Sequence, residues 1–397
     1  MALFAGTGVS RQTQDPEAAG REAARAALMN AGVETADVAL VISSVAFDQQ
    51  LLTKGITAAL GKTPFVGCTG AGAITSDGVH EGAVAVLALK SDEAKFIPVK
   101  VSGIKADMRG AGKRFAAELQ RAGGGDIKIA LIFSDALSGN GTELVRGILE
   151  TTGTRFPLGG GAAGDDLHFE KTFQFYNGEV LSDAIVGLGV GGAIETAVGA
   201  DHGWQPIGIA RVATKASGTK LLELDGKPAF SIYEDYFGPR SADFKQALSL
   251  AAVSYPLGMK TSGRDELMIR APLAVGEDGS ITCGAEVVQG SEIYLMIGTL
   301  SSVLWSAQET AKSVMGNFSG KGKKVMFVSD CVARKILLGS RGMEEINLLK
   351  TIAGPECVIF GFYSYGQIAP LRTHIEDVHV CDPGFYEQSI SLAVLGS

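Results

Sequence analysis

The chain has 397 residues, 46% of them hydrophobic, and carries 43 acidic against 35 basic side chains for a net charge of −8. That length suits two or three domains, and the apolar content is that of a globular chain rather than a disordered one. No run of Lys and Arg could form a basic face, which sets nucleic-acid binding aside; the most apolar stretch, 184–193, is short, Gly-rich and soon interrupted by Glu195, so membrane insertion is not expected either.

Residues 16–31 have helical spacing, with Arg21, Glu22 and Arg25 outward. An apolar run of strand type, 38–42, ends in Ser43-Ser44; a helical stretch follows, and Pro64-Phe65-Val66 leads into Gly67-Cys68-Thr69-Gly70-Ala71-Gly72. Strands are predicted over 83–89 and 95–101, then a helix over 111–120. The run 129–133 ends in Ser134-Asp135; a helix over 142–151 comes next, and Pro157-Leu158 leads into a Gly-rich stretch from Gly159 through Gly164 to Asp165. Asn177-Gly178 marks a hairpin, and 184–198 continues as sheet. A second hairpin turns at Ser217-Gly218, a helix runs to Tyr236, and the domain boundary is placed near Leu222, giving 1–222 and 223–397. The runs 267–275, 281–288 and 292–297 read as an antiparallel meander, and 301–314 as a helix. The same layout then appears a third time. Val325-Met326-Phe327-Val328 ends in Ser329-Asp330-Cys331, a helical pattern covers 344–349, and Val358-Ile359-Phe360 passes into Gly361-Phe362-Tyr363-Ser364-Tyr365-Gly366-Gln367. The last strand is 389–395.

Ser43, Ser134 and Ser329 thus each close a strand, and each copy continues into G-x-x-x-x-G at Gly67/Gly72, Gly159/Gly164 and Gly361/Gly366. Three copies in one context indicate a repeated supersecondary unit. None carries the Lys-Ser/Thr of a phosphate loop. The glycines serve either close packing between layers or the lining of a shared cavity.

Five scattered cysteines without C-x-x-C point to a reduced, cytosolic protein free of disulfides and of a cysteine zinc site, and the opening residues show no signal peptide. His374 and His379, five apart, fall on opposite faces of a strand and are read as surface or core residues rather than metal ligands. Cys331 and Arg334 lie just past a strand end, where crevices form in layered α/β folds. An Arg there either grips a ligand carboxylate or holds helix to strand through Glu344 or Glu345. Tyr363 and Tyr365 share one strand face and either line a pocket or fill the core. Cys68 and Cys331 lack a neighbouring base in sequence, so inert thiols are expected and catalysis is not. His202, beside Trp204, is the candidate axial ligand should haem be bound.

These residues resemble the FIST family over nearly the whole chain. In the N-terminal half the resemblance rests on Gly67-Cys68-Thr69, Gly160-Gly161-Ala162-Ala163-Gly164-Asp165, Tyr176-Asn177-Gly178-Glu179, Gly203-x-x-Pro206-x-Gly208 and Leu224-Asp225-Gly226-Lys227-Pro228-Ala229. In the C-terminal half it rests on Cys331-x-x-Arg334, Glu344 or Glu345, and Gly361 to Gly366. It implies a sensory, ligand-binding module of signal transduction acting through a separate partner such as a histidine kinase or cyclase. Its ligands would be small and polar, amino acids or carboxylates among them, with haem-binding nitric-oxide sensing known in some relatives. Carried onto this chain, the ligand-binding residues are Cys68, Thr69, Gly161, Asp165, Cys331, Arg334, Glu344, Tyr363, Tyr365 and Gln367. Two departures stand out: Gly366-Gln367 replaces the family's Gly-Glu, and Tyr386-Glu387 its late His-Asn. The expected fold is a two-domain α/β architecture of mixed β-sheets packed together and flanked by helices, with the ligand between the halves.

Overall fold

A computed structural model describes residues 2–260, 266–370 and 383–397; His374, His379 and Cys381 lie outside the described residues. The chain is mixed α/β, with mixed sheets, flanking helices and repeated strand-helix-strand units. The first unit comprises β1 (Leu3–Ser10), α1 (Pro16–Ala31), β2 (Val38–Ser43), α2 (Gln49–Leu60), β3 (Phe65–Thr69), a hairpin of β4 (Ala73–Thr75) and β5 (Gly78–His80), and β6 (Val84–Ser91). The second repeats that order: β7 (Ala94–Ser102), α3 (Met108–Gly123), β8 (Ile127–Ser134), α4 (Gly141–Thr152), β9 (Leu158–Ala162), the hairpin β10 (Gln174–Tyr176) and β11 (Glu179–Leu181), and β12 (Ala184–Gly192).

The third opens with β13 (Glu195–Asp201) and is then interrupted by an eight-stranded sheet. That insert holds β14 (Gln205–Ser217), β15 (Lys220–Leu224), β16 (Lys227–Pro228), α5 (Ser231–Phe237), α6 (Ser241–Gln246), α7 (Leu248–Ser254), β17 (Leu257–Lys260), β18 (Met268–Arg270), β19 (Pro272–Val275), β20 (Ile281–Cys283) and β21 (Glu292–Ile297). The unit resumes with α8 (Leu300–Asn317), β22 (Lys324–Cys331), α9 (Val332–Leu338), α10 (Gly342–Ala353), β23 (Cys357–Ser364), the hairpin strands β24 (Gly366–Pro370) and β25 (Pro383–Tyr386), and β26 (Ile390–Gly396). Residue 222 falls inside β15, and the inserted sheet runs unbroken across it. The expected meander is not formed: β20 pairs with β19 and β15, while β21 lies between β17 and β14.

Local chemistry sets most of these boundaries. Asp15, Asp48, Asp107 and Asn140 cap α1 to α4 by accepting first-turn amide hydrogens, Pro16 starts α1, and Gly32 ends it in the left-handed conformation. Asn177 and Gly178, both at positive φ, make the β10–β11 turn.

The three unit sheets are built alike but exchange their hairpins. Parallel pairs β2–β3, β8–β9 and β22–β23 each take the closing strand of their own unit on one side. On the other side each takes a foreign hairpin: β10 on β3, β24 on β9 and β4 on β23. The second unit thus completes the first sheet, the third the second, and the first the third. Three backbone bonds close the cycle, from the N–H of Ala71 to Tyr363 O (2.9 Å), of Tyr365 to Ala162 O (3.1 Å) and of Gly164 to Thr69 O (3.0 Å). The inner faces share a core in which Phe133, Phe327 and Phe362 meet around Cys68, Val66 and Leu40. Helices α1 and α2, α3 and α4, and α8 and α10 cover the outer faces.

This register corrects the sequence alignment of the repeats. Gly67, Gly160 and Gly361, not Gly159, are equivalent: each stands opposite Val41, Ile132 or Val328, and a Cβ there would strike that residue's carbonyl. By the same register Ser43 and Ser134 correspond to Asp330 rather than Ser329.

Candidate functional site

Strand alternation sends Phe327 and Ser329 of β22 into the shared core and Asp330 outward, beneath α8, α9 and α10. One step along β23, Tyr363 points to the same outer layer. Arg334, four residues after Asp330, reaches back from the first turn of α9 with its side chain fully buried. Its Nε lies 2.7 Å from Asp330 Oδ1, and Nη2 pairs with Glu345 Oε1 of α10. Nη1 donates to His202 O (2.9 Å) and Ser306 Oγ (3.1 Å), and Nη2 also to Val303 O (3.2 Å). The carboxylate on Arg334 is therefore Glu345; Glu344 is exposed and pairs with Arg341. Burial opposes the guanidinium charge, but Glu345 and Asp330 outweigh it and raise its pKa. Asp330 is pushed well above the usual carboxylate range, first by burial and then by the charge of Glu345, with Arg334 pulling the other way; a hydrogen bond between the Asp330 and Glu345 carboxyls raises it further.

With both carboxylates ionised, four buried polar atoms of this cluster have no hydrogen-bond partner among the described residues: Arg334 Nε, whose contact with Asp330 Oδ1 is an ion pair only, Asp330 Oδ2, Glu345 Oε2 and the Tyr363 hydroxyl. Native interiors seldom leave such atoms unpaired. At the edge of the cluster Lys335 Nζ lies 5.6 Å from the Tyr363 ring centroid, donates to Ala71 O (2.8 Å) and pairs with the exposed Glu81 at 2.7 Å. Gly72 and Gly342 border the same tyrosine; a Cβ at Gly342 would stand 3.6 Å from its hydroxyl.

The repeat supplies an internal control. Ser43 and Ser134 occupy the Asp330 position in the other units, and Thr69 and Ala162 that of Tyr363. Ser43 simply donates to Gln49 Oε1 at 2.8 Å. The unit closes twice without buried charge at these positions, so its architecture does not require Asp330 or Tyr363. Desolvating ions is expensive, and the third copy carries that burden at one place.

The remaining expected site residues are dispersed. Asp165 and Tyr365 form a second group: the Tyr365 hydroxyl donates to Asp165, which also accepts the amides of Phe169 (2.9 Å), Glu170 (2.6 Å) and Lys171 (2.9 Å). Burial works against the Asp165 charge, yet these donors hold its pKa down. Thr69 Oγ1 accepts the Phe173 amide hydrogen (3.0 Å), ordering the same loop. Gly161 gives room to the Ser329 hydroxyl. Gln367 donates to Ser364 Oγ (2.8 Å) and accepts from the amide (3.1 Å) and hydroxyl (3.0 Å) of Ser389, so its amide is built into the core. Cys68 is buried in the shared core and its thiol is pushed well up by burial; Cys331 is raised to about 11 for the same reason. Neither is a thiolate at neutral pH.

His202 does not fit a haem ligand. Its Nδ1 accepts the Trp204 amide hydrogen (2.9 Å), which leaves Nε2 to carry the proton and donate to Leu267 O (3.0 Å). Both ring nitrogens are engaged, and burial lowers the pKa of the ring. Sequence reasoning passed over Asp330, Lys335 and Glu81; the Asp330-to-Arg334 spacing of four was a usable signal, whereas Glu81 arrives through hairpin exchange and had none. A shallow groove of about 690 Å³ between α2 and the β10–β11 turn holds no buried charge.

Comparison with known proteins agrees with the repeat motifs. Residues 37–227 match the FIST N domain and residues 229–370 the FIST C domain. An uncharacterized protein of Methanocaldococcus jannaschii is 30% identical over 213 residues, 49% of this chain, and the match spans only 39% of that relative's length. Among solved structures, a chorismatase at 8% identity covers 100% of both chains with a TM-score of 0.34. T. maritima PurL complexed with ADP, at 11% identity, covers 100% of this chain and 71% of that one with a TM-score of 0.22. Likenesses at that level carry no argument. The two domain matches, side by side over most of the sequence, place the chain in the FIST family, whose domains are associated with sensory signal transduction.

Proposed function

We propose that the chain is a non-catalytic sensory module that binds a small polar ligand at the Asp330–Arg334–Glu345–Tyr363 cluster and signals through a separate protein such as a histidine kinase or cyclase. One observation carries this reading: of three equivalent positions, only the third holds buried charge and unpartnered polar atoms. Arg334 is held by protein acceptors at both Nη atoms and by the Asp330 ion pair at Nε, so it organises the carboxylates and does not grip the ligand itself. The ligand contacts are instead the Tyr363 hydroxyl and the free carboxylate oxygens. These atoms are already buried, so admitting a ligand requires α9 and α10 to part beside the β4–β5 hairpin, which would change the surface a partner reads.

A melting assay against amino acids, small carboxylates and aliphatic amines tests the reading. A ligand at a hundred times its dissociation constant stabilises by roughly 2.7 kcal/mol, which such an assay resolves. Tyr363→Phe removes a hydroxyl with no protein partner, so the ligand-free protein should melt as wild type does while the ligand shift is lost. A ligand response that survives Tyr363→Phe would move the site elsewhere.

A further inference from the structure

The three unpartnered oxygens can be matched to a chemical group, and the match rests on the reading just given. Asp330 Oδ2 and Glu345 Oε2 can only accept hydrogen bonds when ionised, and the Tyr363 hydroxyl can accept one as well. With both carboxylates ionised, the cluster's two negative charges face one guanidinium, leaving one negative charge over. Three acceptors and one surplus negative charge complement a group with three N–H donors and one positive charge. We propose that the cluster takes the primary ammonium group of the ligand.

Without that ligand, the surplus charge is neutralised by a proton on Asp330, which burial and the neighbouring Glu345 favour and which the two carboxyls share in a hydrogen bond. Binding is then an exchange: the ammonium enters carrying its own three hydrogens, and the Asp330 proton leaves to solvent. The charged and titratable groups around this exchange are Arg334 and Lys335 on α9, Glu345 on α10, and Glu81 beyond β5. On the remaining sides stand Asp201 at the end of β13, His202, whose pKa burial lowers, and the raised thiol of Cys331. Asp330 and Tyr363 both combine a raised pKa with a free oxygen in the cluster, but the tyrosine is raised from an already high value and stays a neutral phenol, so the exchanging proton is that of Asp330. Entry is through the thin cover at Gly342, which has no side chain over the tyrosine hydroxyl, next to the Lys335–Glu81 pair. A carboxylate ligand would meet two carboxylates there and be repelled.

The test is calorimetric titration of the full chain with methylamine and ethylamine, with acetate and propionate as comparators, in two buffers of different ionisation enthalpy. Saturable amine binding that releases close to one proton is expected, with tighter binding as pH rises. Tyr363→Phe should weaken it about tenfold or more. Asp330→Asn mimics the protonated acid, so its melting temperature should stay near that of wild type while amine binding and proton release both disappear. If acetate or propionate binds in a Tyr363-dependent way and the amines do not, the ammonium assignment is overturned while the site stands. Amine binding unchanged in Asp330→Asn overturns it too. If none of the four probes binds and the wider screen finds no Tyr363-dependent ligand, the sensory reading of this site falls with it.

Discussion

Truncating Arg334 to alanine leaves Asp330 and Glu345 in a dry layer with no cation between them. Breaking one side of a buried pair costs about 3–5 kcal/mol, so Arg334→Ala should lose roughly that much in urea unfolding of the ligand-free protein. Tyr363→Phe in the same layer should lose almost nothing, because its hydroxyl has no protein partner. A second buried acid behaves differently. Glu387 reaches from the turn before β26 into the insert, where its Oε2 accepts the Ala271 amide hydrogen at 3.0 Å. Burial raises its pKa from 4.5 to about 7, against the pull of Arg270. The native state therefore keeps a proton that the unfolded chain sheds between those values. Its contribution to stability is full below pH 4.5 and is lost as pH rises through 7, by roughly 3 kcal/mol across the window. Unfolding free energies at pH 5 and pH 8 should show that fall in wild type and a flatter profile in Glu387→Gln.

Among the elements, the parallel strand pairs carry the sharpest constraint. At Gly67 and Gly361 an added Cβ would meet the facing backbone carbonyl, which cannot rotate away, and Gly160 adds a φ of +112°. Alanine at any of the three should destabilise by roughly 1–3 kcal/mol or more, whereas at Gly125, with open space around it, the change should be small by the same melting assay. Here the sequence was partly legible. Period and turn residues located the parallel strand pairs of all three units and most of their helices, since runs such as 129–133 and 325–328 are apolar throughout and bounded by polar tips; β1, the β4–β5 hairpin and α9 were missed. They could not fix the register, so Gly159 stood in for Gly160 and Ser329 for Asp330: a one-residue slip in a Gly-rich run leaves the pattern intact but turns every side chain to the opposite face. The same limit hid the site. Arg334 and Tyr363 were visible as residue types, but choosing Glu345 over Glu344 depends on which face of α10 meets β22, and Lys335 and Glu81 meet only because β4–β5 crosses to another sheet.

At the scale of the whole molecule, that crossing ties the stability of each unit to the next. No unit sheet is complete without a neighbour's hairpin, and the bonds from Ala71, Gly164 and Tyr365 close the cycle. Damage to one hairpin should therefore appear first in the sheet that receives it and not in the unit that encodes it. Ile74 is the decisive position. It sits in β4, pairs with Gly361 of β23, and packs its buried side chain in the outer layer of the third sheet. Proline there removes a ladder donor and a buried side chain together. In hydrogen exchange of Ile74→Pro, the amides of β22 and β23 should exchange at least about tenfold faster, while those of β2 and β3 keep their protection. Because Asp330 and Tyr363 lie on those loosened strands, any ligand response should weaken in the same variant although the substitution is more than 250 residues away in sequence. Loss of protection confined to β2 and β3 would mean that each unit folds on its own and that the exchanged hairpins are only surface contacts.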